Sequence, residues 1–153
     1  MSMEIYVLSD EKLNSISEWQ HAIDAVRLSV RLSTETQFAV QKGFLPARSG
    51  DTSTGFECDH WDATKLMAEY SAMNFGHQWK YALAFRWGAD LRACVAAYAA
   101  GAAYARATWG IVLDCEQGKI ISAQQAAEVA RDIEKRMPEI EAAIRRTTEQ
   151  FRP

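Results

Sequence analysis

The chain has 153 residues, of which 48% are hydrophobic and 24% charged, a length and balance that fit one globular domain with a real core and exclude a disordered or collagen-like chain. Lys+Arg number 17 against 20 Asp+Glu, a net charge of -3, so bulk charge gives no attraction to phosphate backbones and nucleic acid is not an expected partner. Three widely spaced cysteines, Cys58, Cys94 and Cys115, do not form a disulfide framework and suit a reducing cytoplasm. The first ten residues lack a basic n-region and a long apolar core, and Ala89–Thr108 is interrupted by Asp90, Arg92 and Arg106. Neither a signal peptide nor a membrane span is expected.

In chain order, Glu4–Leu8 is a short apolar run that predicts a buried strand. Ser15 and Glu18 have capping-box spacing, and Ile16, Trp19, Ile23 and Val26 repeat at helical spacing behind them. Leu28, Val30 and Leu32 alternate with polar residues as a second strand, and residues 34–53, with Gly43, Pro46 and Gly50, read as loop with at most one helical turn. Thr54–Trp61 alternates as a strand, Asp62 caps a helix over Ala63–Tyr70, and Asn74–Gly76 breaks it.

Trp79, Tyr81, Leu83, Phe85 and Trp87 occupy every second position, with Lys80, Ala82, Ala84 and Arg86 between them. This strongest strand signal predicts a bulky face under a thick apolar cover and a small face that admits a helix backbone. Asp90 caps a helix with ten alanines between Ala89 and Ala107, where Gly101 requires a close packing contact. Ile111–Asp114 and Lys119–Ile121 predict a hairpin, and Ser122 with Gln125 opens a long helix that Pro138 is expected to kink or split. The first six elements run strand, helix, strand, strand, helix, strand. That order predicts an α+β domain with a ferredoxin-like βαββαβ opening, a mainly antiparallel sheet and an added helix-hairpin-helix C-terminal part, all one domain over 1–153.

The densest polar cluster is Glu57-Cys58-Asp59-His60-Trp61-Asp62. Cys58 and His60 share a strand face, as a metal site would need, but no CxxC, HxxxH or HExxH accompanies them, and no metal or cofactor is expected. Glu57 and Asp59 also share a face, about 7 Å apart at two-residue spacing, which is open to acid/base work or to simple solvation. Cys94 reads as core, and Cys115, beside two acids, does not read as a nucleophile. Arg86 and Lys80 on the small face each need a carboxylate, with Glu57, Asp59 or Asp90 as candidates. No GxSxG elbow or glycine-rich phosphate loop is present.

The blocks Tyr6–Asp10, Ser15–Gln20, Thr54–Trp61 and Ala103–Asp114, in a short acidic chain with an aromatic-acidic cluster, resemble in general style the immunity proteins of bacterial toxin systems. The resemblance implies a cytoplasmic, non-enzymatic binder that neutralises a cognate basic toxin domain by covering its active site. The contacts expected from the acids and aromatics are Asp59, Trp61, Asp62, Asp114 and Glu116. The alternative is a small enzyme or ligand-binding domain with a pocket of Glu57, Asp59, His60, Arg86 and Asp90, which requires concavity there. A third reading is an obligate homodimer with a structural role, packed through the alanine-rich helix at Gly101, so that a monomer or a homodimer is expected.

Overall fold

In a computed structural model, which describes residues 2–35 and 37–150, the elements are β1 (Met3–Ser9), α1 (Ile16–Ala25), β2 (Val30–Leu32), a 3-10 turn (Phe38–Val40), β3 (Phe44–Ser49), β4 (Thr52–Trp61), α2 (Ala63–Glu69), β5 (Tyr81–Trp87), α3 (Leu91–Thr108), β6 (Ile111–Asp114), β7 (Lys119–Ile121) and α4 (Ala123–Gln150). The seven strands form one antiparallel sheet in the order β2-β3-β4-β5-β1-β6-β7. The α+β class stands, but the ferredoxin-like opening does not. The opening contains a further strand, β3, and β1 lies between β5 and β6.

β3 lies within the stretch read as loop. Its inward residues Leu45, Ala47 and Ser49 are buried and its outward residues Phe44, Pro46 and Arg48 exposed, the alternation of a strand with one covered face. Pro46 disguises it, because proline removes a ladder donor. Here the loss is harmless. The last β2 residue in the ladder, Leu32, pairs with Ala47, so Pro46 lies just past the end of β2 and needs only its carbonyl, which accepts from the Ser33 N–H at 2.9 Å.

One face of the sheet is covered by α1, α3 and α4. Ile5, Val7, Phe56, Leu83, Phe85 and Trp87 form its core with the alanines of α3. The bulky face of β5 meets the alanine-rich helix, where small residues on the helix leave room for large ones on the sheet, while the small face of β5, Ala82 and Ala84, takes α2. Gly101 sits at that contact, where a Cβ would lie 3.1 Å from Ile5 Cδ1. α3 is buried along nearly its whole length between the sheet and α4, so Gly101 faces the chain's own sheet rather than a second copy. Trp19 of α1 is fully buried among Phe38, Phe85 and Tyr104, with ring centroids 5.3 to 5.8 Å away, and its Nε1 donates to the Ala100 carbonyl at 2.8 Å. Gln20 ties α1 to the edge strand, accepting from Leu32 N and donating to the Val30 carbonyl.

The other face is covered only in part. α2, capped by Asp62, lays Ala63, Leu66 and Met67 over Tyr6, Leu8, Ala82, Ala84 and Leu113. Trp79 and Lys80 precede β5 instead of opening it: Trp79 Nε1 donates to the Phe75 carbonyl, its ring stacks on His77 at 3.9 Å, and Lys80 N donates to Asp10. α4 runs unbroken through Pro138. Its start is a closed capping box, with Ser122 N donating to Gln125 Oε1 and Gln125 N to Ser122 Oγ. Among the described residues no helix is long and apolar enough to cross a membrane.

Candidate functional site

Side chains alternate across a strand, so β4 divides the polar cluster between two surfaces. Phe56 and Cys58 point into the core under α3, and His60 follows them, its Nε2 2.9 Å from the Phe38 carbonyl and its ring 4.9 Å from that of Phe38. Glu57, Asp59 and Trp61 point to the other face, where α2 leaves the sheet bare. Cross-strand register there aligns Phe44, Glu57, Arg86 and Glu4 in one row, and Asp59, Ala84 and Tyr6 in the next.

The row is tied together by charge. Arg86 Nε donates to Glu4 Oε2 at 3.2 Å, and the Tyr6 hydroxyl donates to the same oxygen at 3.3 Å. The partner of Arg86 is therefore Glu4 from β1, not Glu57, Asp59 or Asp90. Its guanidinium carbon also lies 5.0 Å from the Trp61 ring centroid, while Trp61 tilts against Tyr6 at 6.2 Å. Burial, reinforced by the Glu4 carboxylate, pushes the Tyr6 phenol above its ordinary value, so it remains a hydrogen-bond donor at neutral pH. At the bare end, Phe44 is 57% and Trp61 38% exposed. The Phe44 ring lies over Gly55, where a Cβ would stand 2.3 Å from Phe44 Cζ. Glycine at 55 is what lets that ring rest on the sheet.

The expected contact residues have unlike surroundings. Asp59 and Trp61 share the bare face, although one oxygen of Asp59 accepts from Gly43 N at 2.9 Å and holds the turn before β3. Asp62 is exposed and caps α2. Glu116 lies at the far end of the Glu4 row, accepting from Glu4 N. Asp114 does not belong to the surface: it is 0% exposed and accepts from Tyr98 Oη (2.9 Å), Glu116 N (2.9 Å), Gln117 N (3.0 Å) and Gln117 Nε2 (2.8 Å). A carboxylate so enclosed organises the β6–β7 turn and cannot meet a partner.

The alternative pocket does not assemble. Glu57, Asp59 and Arg86 lie on the bare face, whereas His60 lies on the α3 side and Asp90 caps α3, accepting from Arg92 N and the Thr54 hydroxyl. None of four cavities found among the described residues takes a lining residue from these five. No group of three or more His, Cys, Asp or Glu side chains able to hold a metal ion occurs among the described residues. Burial pushes the Cys58 thiol far up and the Cys94 thiol up to about 11, and Cys115, whose Sγ lies 3.6 Å from the Tyr70 hydroxyl, is raised by burial too. Each is disfavoured as a thiolate nucleophile.

Sequence reasoning missed Phe44 and Glu4 as members of the site. Phe44 is hidden with β3, and Glu4 reads only as the start of a strand, although a charge at an even position beside Tyr6 and Leu8 marks the face opposite Ile5 and Val7. Comparison of the chain with protein-family models, with curated proteins and with solved structures finds no match.

Proposed function

We propose that the chain is a non-enzymatic protein-binding protein, in its most specific form a cytoplasmic immunity protein that neutralises a cognate basic toxin domain by covering its active site. The observation that carries the reading is the bare sheet face, where Phe44 and Trp61 stand exposed beside Glu57 and Asp59. Two aromatic rings on a rigid sheet are anchors that lose little conformational entropy on docking, and acids around them steer a basic partner and fix its register. Arg86, whose guanidinium lies over the Trp61 ring, is already paired with Glu4, so it does not neutralise Glu57 and Asp59 beside the indole. Three free thiols suit the cytoplasm.

The experiment is a tagged co-purification from the source cell, with native mass spectrometry of the eluate, repeated with Phe44→Ser, Trp61→Ala and the charge reversal Asp59→Lys. Stoichiometric retention of a basic protein by the wild type, lost in Phe44→Ser and Trp61→Ala and weakened in Asp59→Lys, supports the reading. A partner retained equally by all the variants removes this face from the interface. Inhibition of the captured protein's activity by added wild-type chain separates an immunity protein from a general binder.

A further inference from the structure

A cavity of about 1030 Å³ lies on the helical side of the molecule, where the ends of α1 and α3 meet the start of α4. Three arginines from three different elements line it: Arg27 just after α1, Arg106 in the last turn of α3, and Arg131 in α4. The lining contains no carboxylate, and among the described residues none of the three forms an ion pair. Arg131 has one nitrogen on the Val26 carbonyl at 2.8 Å. Arg27 and Arg106 are exposed.

The cavity's most buried lining is apolar, Ala102 and Ala105 of α3. At the rim stands Trp109, 85% exposed and held in the left-handed conformation at φ 57°. Glycine is the usual residue at that position after a helix, and a bulky side chain there costs about 1 kcal/mol of backbone strain. The indole is thus kept at a strained, solvated position on the same cavity as three arginines that form no ion pair among the described residues. In a chain of net charge -3 this is a local reversal of sign.

We infer that this groove binds a nucleoside phosphate, with the arginine forks on the phosphate oxygens and the base stacked on Trp109 beside the alanine lining. Guanidinium matches phosphate geometry with paired N–H donors, and an exposed indole offers its face to any planar base. The volume accommodates a mononucleotide. The inference is independent of the sheet-face reading, since the groove lies on the opposite side of the sheet.

The test is isothermal titration of the full chain with ADP, inorganic pyrophosphate and adenosine in turn, without divalent metal. ADP should bind at one site, more tightly than either fragment. Arg106→Glu and Arg27→Glu should each weaken ADP and pyrophosphate about tenfold or more, about 1.4 kcal/mol. Trp109→Gly, which relieves the backbone and so keeps the fold, should weaken ADP and leave pyrophosphate unchanged. Absence of saturable ADP binding overturns the inference, as does ADP binding that Trp109→Gly and both arginine variants leave intact. Tighter binding of an Asp/Glu-rich peptide than of ADP, lost in Arg106→Glu, would overturn it in favour of an acidic protein segment.

Discussion

Substituting Asp114 by alanine removes four acceptor contacts at once from a site with no exposure to water. The Tyr98 phenol is buried and has that carboxylate as its partner, so its orphaned hydroxyl costs about 1–3 kcal/mol. The Glu116 and Gln117 amides belong to exposed turn residues and recover part of their bonding from water, which leaves roughly 1–2 kcal/mol for the two together. The sum is about 2–5 kcal/mol, the range in which breaking a buried polar network usually falls. For a chain of this size that lowers Tm by roughly 5–15 °C. Asp114→Asn keeps the shape and one acceptor oxygen for the two backbone amides, and should cost about 1–2 kcal/mol. Urea unfolding followed by tryptophan fluorescence measures both, and a cycle with Tyr98→Phe isolates the pair. If Asp114→Ala were within 0.5 kcal/mol of wild type, the surface tolerance limit, the carboxylate would not be organising the turn, and its assignment to the core would be wrong.

Trp19→Ala should destabilise by about 3–5 kcal/mol, since the indole is fully buried and bonded to Ala100; denaturant midpoints check it. Gly110→Ala should cost about 1–3 kcal/mol of overpacking, because the new Cβ would stand 2.3 Å from the Leu8 carbonyl oxygen, a backbone atom that cannot rotate away. Stability should fall on the alkaline side. Cys94 is raised from 9.0 to about 11 and Tyr104 from 10.0 to about 12, each by burial. The unfolded chain therefore loses these protons first, and the contribution present below pH 9 declines as pH rises through the folded values. Unfolding free energies measured from pH 8 to 11 that failed to decline would contradict the burial of these groups. Thiol labelling with a disulfide reagent at pH 7.5 should be slow at Cys58 in the native state and rapid only after unfolding.

The elements legible in the sequence were those whose signal is local. β1, α1, β5, α3 and the β6–β7 hairpin each carry their own periodicity or cap, and the strand alternation of β5 survives intact between Tyr81 and Trp87. Trp79 extended that alternation by coincidence, since its ring belongs to the loop with Phe75 and His77. β3 was hidden because a proline is forbidden only where its missing N–H has a ladder partner to lose, and whether β2 reaches that far is a fact of register rather than composition. Strand order has the same character: nothing local says that β1 lies between β5 and β6. The misplacement of Asp114 follows too, because an acid beside a turn is ordinarily solvated, and only the return of Tyr98 from the preceding helix encloses it. The split of the alternative pocket, by contrast, was available from the sequence. Period two places His60 opposite Glu57, Asp59 and Trp61, so a cluster of six consecutive polar and aromatic residues in a strand is two half-clusters separated by the sheet.

The same layering explains why exposed aromatic residues occur where they do. The α3 side of the sheet needs volume, and the alanines of α3 meet the large side chains of β1 and β5 there, with α4 sealing the outside of α3. α2 has only seven residues and covers Leu8, Tyr6 and the β5 alanines beside them, leaving uncovered the row of Glu4, Arg86, Glu57 and Phe44 and the β4 ends of the next two rows, Asp59 and Trp61. Burying Phe44 and Trp61 beneath a second turn or two of helix would contribute about 25 cal/mol for each Å² of apolar surface removed from water, and the chain leaves that stabilisation unused. A sheet face with its ion pair already made and its rings exposed is preorganised, so a partner that covers it recovers the unused hydrophobic free energy without reordering the protein. Trp109 is the corresponding exposure on the helical side, at a helix end where glycine would be more stable. The two exposures differ in charge, acidic around Trp61 and basic around Trp109, so ligands for one face are repelled by the other. Under the proposed functions, Trp61→Ala should abolish protein binding with ADP binding intact, and Trp109→Gly should do the reverse; loss of both activities in either variant would show that the two faces are not independent.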